Sequence, residues 1–186
     1  MHVLLINGSP HEKGCTYTAL SLVAGELNAA GITTEILNVG TKPVGGCIGC
    51  GGCAKGNGCV FGGVVNEAIE KARTADAFVF GTPVHYASAS GNMTSFLDRL
   101  AYAGGKYLAY KPAAICASAR RAGTTATLDQ LAKYPEFFHM PLVSGSYWPM
   151  VHGSNPEQVL QDEEGCAVMK ELLSLIHISE PTRLGM

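Results

Sequence analysis

At 186 residues, 47% of them hydrophobic and 15% charged, the chain suits one α/β domain with a sizeable core and is short for two. With 13 Lys and Arg against 15 Asp and Glu the net charge is −2, and no basic run exceeds Arg120-Arg121, which speaks against a nucleic-acid or anionic-membrane surface. No stretch approaches the roughly 20 apolar residues of a membrane span and no basic-then-apolar leader opens the chain, so the expected location is the cytoplasm.

Apolar strand-like runs alternate with helical patterns along the chain. The first strand is expected at 2–7, ending in Gly8-Ser9-Pro10, with a helix at 16–30 behind it. A strand at 33–39 leads into a Gly- and Cys-rich loop from Gly40 to Gly63, then a helix at 64–74. Strands at 76–81, 112–118 and 140–145 alternate with helices at 92–103, 124–134 and 156–174. Five βα units predict a doubly wound, five-stranded parallel sheet in the flavodoxin-like order 2-1-3-4-5. Its ligand would sit beyond the carboxyl ends of the strands, where strand order reverses.

The loop after the first strand, Gly8 to Thr18, is rich in hydroxyls and backbone amides and opens a helix, whose N-terminal dipole favours an anion. It lacks the three glycines of a Rossmann loop and the Gly-Lys-Ser/Thr end of a Walker loop. A phosphate monoester such as that of FMN fits best, although Gly-Ser-Pro also makes an ordinary turn. After the third strand, Thr82-Pro83-Val84-His85-Tyr86 places flat side chains on a φ-restricted turn, which suits a planar ring.

Gly8-Ser9-Pro10 with Gly14 and Thr16, Thr82 to Tyr86 leading to Ser90-Gly91, and Phe96-Leu97-Asp98-Arg99 together resemble the NADPH-dependent FMN reductase family, over about residues 1–170. The resemblance implies that Ser9, His11, Cys15, Thr16 and Thr18 surround the FMN phosphate and that Pro83, Val84, His85 and Tyr86 contact the ring. Ser118 to Gly123, with Arg120 between them, would border its other side. His11 and Cys15 stand where the family often has Arg and Asn or Ser. With flavin-centred chemistry no dedicated general base is needed; backbone amides and His85 are the candidate donors to the ring, and NAD(P)H is the expected co-substrate. Arg120 and Arg121 are candidate handles for its phosphate. Asp98 and Arg99 read as a helix-end ion pair, and His152 is set beside Tyr147 and Trp148.

Seven cysteines, four of them within residues 47–59, suggest a ligand cluster or reduced thiols more than a disulfide framework. The gaps between Cys47, Cys50, Cys53 and Cys59, with glycines between them, match a 4Fe-4S cluster best. Zinc and a metal-free loop are the alternatives. The spacing resembles the compact motif of the iron-sulfur flavoproteins, a branch of the same family. Cys15, Cys116 and Cys166 read as small apolar fillers.

Two functions follow as expectations. One is an NAD(P)H-dependent, FMN-containing reductase of a small-molecule electron acceptor such as a quinone, azo compound or flavin. The other is an electron carrier joining FMN and a 4Fe-4S cluster to a ferredoxin-like redox protein. A cofactor-free scaffold is the bland third choice. Tyrosines between Leu100 and Tyr110, and the group Tyr147 to Met150, suggest an interface; the resemblance implies a homodimer or tetramer with FMN near the subunit boundary. Residues 174–186 do not resemble the family and read as translated adaptor or vector sequence, leaving 1–173 as the expected domain.

Overall fold

The computed structural model describes residues 1–172, so the tail from Ser174 onward, with His177, lies outside the described residues. Strand β1 (His2–Asn7) is central because it is buried on both faces. It pairs in parallel with β2 (Thr33–Asn38) on one side and β3 (Ala77–His85) on the other, and β3 pairs with β5 (Ala113–Ala119). A two-residue strand β4 (Ser88–Ala89) folds back antiparallel on β3. Short strands β6 (Leu142–Val143) and β7 (Met150–His152) both pair with β5, so the sheet has seven strands among the described residues rather than the five expected, with the path β2-β1-β3-β5-β6 in the flavodoxin-like order.

Side-chain alternation along the strands builds the two layers. Val3, Leu5, Ala77, Val79, Ala114 and Cys116 face α1 (Cys15–Ala29), α5 (Pro156–Leu160) and α6 (Glu163–Glu171). Leu4, Ile6, Phe78, Phe80, Ala113 and Ile115 face α2 (Val64–Thr74), α3 (Gly91–Gly104) and α4 (Thr124–Phe137). None of the described helices is long and apolar enough to cross a membrane.

Two expected elements are divided. The fifth strand, expected at 140–145, is two pieces because the chain bulges between them. The Ser146 amide donates to Glu171 Oε2 at 2.6 Å instead of to the sheet, Pro149 has no amide to offer, and pairing resumes only at Met150. The expected helix at 156–174 is split because Asp162 starts a second helix, its Oδ1 accepting from Gly165 N at 3.0 Å, just as Asn155 caps the first through Gln158 N at 2.8 Å.

Candidate functional site

Sheet register brings three loops to one edge: Asn7 lies opposite Gly81, and Pro83 opposite Ser118. The first loop is built on Asn7, whose Oδ1 accepts from Ser9 N at 3.1 Å and whose Nδ2 donates to Asn38 Oδ1 at 2.8 Å and to the Glu12 carbonyl at 3.2 Å. Ser9 Oγ accepts from His11 N at 3.1 Å, while the His11 side chain is exposed. Helix α1 then starts at Gly14 without a side-chain cap, which leaves its first amides open to an anion.

Thr16 and Ser118, buried on different loops, meet at 2.7 Å between hydroxyl oxygens. Thr18 turns its hydroxyl back to the Gly14 carbonyl at 3.1 Å, so it serves its own helix. Cys15 is half-buried and its thiol, pushed up chiefly by burial, donates to the Gly153 carbonyl at 3.5 Å. Cys166 likewise donates to Val159 O at 3.2 Å; of the three expected fillers, only Cys116 is a fully buried one.

The second loop is a tight hairpin. His85 pairs with Ser88, and Tyr86 and Ala87 between them take φ of 52° and 59°. Positive φ at both central positions is the mark of a type I′ turn, disfavoured for residues with a Cβ. Pro83 and Val84 are half-buried, while His85 and Tyr86 project into solvent. Gln130 on α4 holds the returning strand by accepting from Ser88 Oγ and Ala89 N, both at 2.8 Å. The third loop abuts this hairpin at Gly123, whose φ is 97° and where a Cβ would lie 2.7 Å from Ala87 Cα. Arg120 and Arg121 are exposed between Ser118 and Gly123.

Ser90 ties these loops to α3. Its hydroxyl donates to the Gly8 carbonyl at 2.8 Å and accepts from Met93 N at 3.3 Å, capping the helix. Two residues on, Asn92 Nδ2 donates to Gly40 O and Lys42 O at 2.9 and 3.1 Å, and its Oδ1 accepts from Val44 N at 3.1 Å. That clamp starts the cysteine loop against the phosphate-type loop. At Gly40 a Cβ would stand 2.4 Å from the Gly8 and Ser9 carbonyl oxygens, so only glycine fits.

Cys47, Cys50, Cys53 and Cys59 all line one cavity of about 120 Å³, with Ile48, Val60, Phe61, Tyr102 and Ala103 as its apolar wall and Arg99 as the one cation. No three His, Cys, Asp or Glu side chains among the described residues are grouped as ligands of a metal ion. Cys59 is held twice. Asn66 on α2 brackets its backbone, accepting from Cys59 N at 2.8 Å and donating to Cys59 O at 3.0 Å, while Arg99 Nε donates to its Sγ at 3.2 Å.

The expected Asp98–Arg99 ion pair does not form, because adjacent helical residues point about 100° apart. Asp98 accepts from Tyr134 OH at 2.6 Å, and Arg99 enters the cysteine loop, with 6% of its surface exposed. His152 Nδ1 lies 3.4 Å from Asp162 Oδ2, and its amide donates to the same oxygen at 2.7 Å. Asn66, Asn92 and Arg99 are the site residues that sequence reading missed. The available signal was positional: Asn92, Phe96, Arg99 and Ala103 recur at helical spacing, so a cation shares a face with apolar residues.

A parallel sheet of this order, with loops converging at the carboxyl ends of β1, β3 and β5, defines a flavodoxin-like α/β protein. Residues 1–155 match the model for the NADPH-dependent FMN reductases, and the chain belongs to that family. An iron-sulfur flavoprotein of Archaeoglobus fulgidus is 29% identical over 92% of this chain and 86% of its own length. Another from Methanocaldococcus jannaschii is 26% identical over 92% of this chain and 93% of its own. Among solved structures of the same fold, an apo NADH:FMN oxidoreductase gives a TM-score of 0.70 at 18% identity, covering 98% of this chain and 91% of that one. An NAD(P)H:quinone oxidoreductase from Methanothermobacter marburgensis gives 0.70 at 16%, covering 97% and 98%.

Proposed function

We propose that this protein is an FMN-containing oxidoreductase whose cysteine loop holds a 4Fe-4S cluster and whose electrons pass to a ferredoxin-like redox protein or a small acceptor. The observation that carries the reading is the single cavity lined by Cys47, Cys50, Cys53 and Cys59 beside a buried cation. The ligand set is all thiol and the wall apolar, which suits a cluster of net negative charge. A lone zinc ion needs its sulfurs about 2.3 Å from one centre, whereas a cluster offers each thiolate its own iron. Relatives named as iron-sulfur flavoproteins support the same choice.

For FMN, the buried Ser9, Thr16 and Ser118 hydroxyls and the uncapped α1 amides fit a phosphate, and the Pro83–Tyr86 hairpin with Ser118 to Gly123 fits the two sides of a flat ring. When bound, flavin and cluster supply hydride acceptance and single-electron transfer, respectively. The chain's own part is to orient and to donate. The α1 amides would neutralise phosphate charge, backbone amides of the 82–88 and 118–123 loops would donate to the ring edge, and the exposed His85 would add a further donor there. Arg120 and Arg121 stand exposed at the ring side, where they can meet the phosphate of NAD(P)H. Thiols throughout, with no disulfide, agree with a cytoplasmic setting.

A metal-free NAD(P)H:acceptor reductase is the second reading, supported by the match of residues 1–155 to the NADPH-dependent FMN reductase family. Anaerobic reconstitution followed by iron, sulfide and flavin analysis decides between them. About four iron and four sulfide per chain with one FMN is the expected result; less than one iron with FMN bound leaves the second reading.

A further inference from the structure

We infer that Arg99 is the positioning residue of the cysteine pocket, pinning the loop's two ends and raising the electron affinity of the group its thiols hold. The inference rests on the cluster reading above. One guanidinium makes three bonds: Nε to Cys59 Sγ at 3.2 Å, Nη1 to Gly45 O at 3.3 Å and Nη2 to Gly62 O at 3.0 Å. Gly45 precedes the first of the four cysteines and Gly62 follows the last, so a single planar fork from α3 closes the ligand-bearing segment at both ends. Its Cζ also lies 5.5 Å from the centre of the Phe61 ring, which borders the same cavity.

The charge is the second half of the argument. Burying a cation is costly unless a counter-charge accompanies it. Among the described residues Arg99 forms no salt bridge, and its adjacent carboxylate, Asp98, is engaged by Tyr134. Two carbonyls and one sulfur satisfy its donors without balancing its charge. Thiolates and the negative cluster they ligate would balance it. An N–H bond to a ligand sulfur beside a fixed positive charge favours the reduced, more negative form, which raises the reduction potential. Lysine is no substitute, because a point ammonium cannot span two carbonyls and a sulfur in one plane.

The test uses the reconstituted full chain and its Arg99→Met and Arg99→Lys variants, with two readouts. In a spectroscopically monitored redox titration, Arg99→Met should shift the oxidised-to-reduced ratio at the native midpoint about tenfold toward oxidised, equal to ~59 mV for one electron, and Arg99→Lys by less. In cluster-free protein, trypsin should cut after the exposed Lys55 at least about tenfold faster in both variants, because local opening is no longer opposed by the fork. If Arg99→Met fails to fold, Arg99→Lys decides by the same two measurements. Native iron content with a native midpoint and native resistance at Lys55 overturns the role of Arg99 and leaves the cluster reading standing. A native chain that takes up no iron overturns the cluster reading and the potential shift that rests on it, while native resistance at Lys55 in the variants overturns the pinning role.

Discussion

Replacing Thr16 by Val tests whether the hydroxyl bridge between the first and third loops belongs to the phosphate end of the candidate site. Thr16 Oγ1 and Ser118 Oγ meet at 2.7 Å, are 1% and 4% exposed by residue, and join positions 102 apart in sequence. Valine keeps the shape and deletes the hydroxyl, leaving Ser118 without its buried partner. An orphaned buried hydroxyl costs about 1–3 kcal/mol, whereas removing both partners is close to neutral. Urea unfolding of Thr16→Val, Ser118→Ala and the double variant should therefore give a combined loss about 0.5–1.5 kcal/mol smaller than the sum of the single losses. FMN affinity then separates folding from binding. One lost hydroxyl bond to a charged phosphate is worth about 1.5–3 kcal/mol, so every chain lacking the Thr16 hydroxyl should bind FMN at least about 10-fold more weakly, the stable double variant included. Flavin fluorescence titration reads the affinity. A double variant that unfolds at the native midpoint and binds FMN with native affinity would refute the placement.

Gly123→Ala should destabilise the chain by at least about 1–2 kcal/mol and weaken FMN binding, because it puts a Cβ at φ of 97° and 2.7 Å from Ala87 Cα; native urea stability would contradict this. Cys59→Ser should lower reconstituted iron while Cys166→Ser leaves it unchanged, and equal iron in both would remove Cys59 from the ligand set. Burial pushes the Cys116 thiol from 9.0 to about 12, so the folded state favours its neutral form. That contribution is complete below pH 9 and is lost as pH rises from about 9 toward 12; Cys116→Ala should flatten the alkaline fall of the unfolding midpoint, and an unaltered slope would count against it. Tyr134, raised by burial and by Asp98, acts in the same direction. Light scattering at micromolar concentration should return at least twice the chain mass, since Tyr102, Tyr110, Tyr147 and Trp148 are all exposed; a monomer for protein with a repaired C-terminal helix would reject the dimer, whereas a monomer seen only with the present tail would implicate that tail.

Sequence alone determined the sheet order and the ends of most elements. Continuous apolar runs such as Val3 to Ile6 mark strands buried on both faces, and short βα connections leave little choice of neighbour. It also singled out the three loops and the four cysteines, because Gly, Pro and Cys constrain the backbone or the chemistry locally. Only the tertiary structure decided what depends on distant partners. Glu171 breaks the last strand at Ser146, Asp162 starts a new helix while also binding the His152 amide, and Thr16 finds Ser118. Arg99 is the clearest case. Beside Asp98 in sequence it reads as half of an ion pair, yet the turn of α3 sends the two side chains apart, and the cysteine loop, folding back from residues 45 to 62, supplies the carbonyls and the sulfur that satisfy it. Sequence spacing sets which side chains share a helix face; what that face meets is set by the rest of the fold.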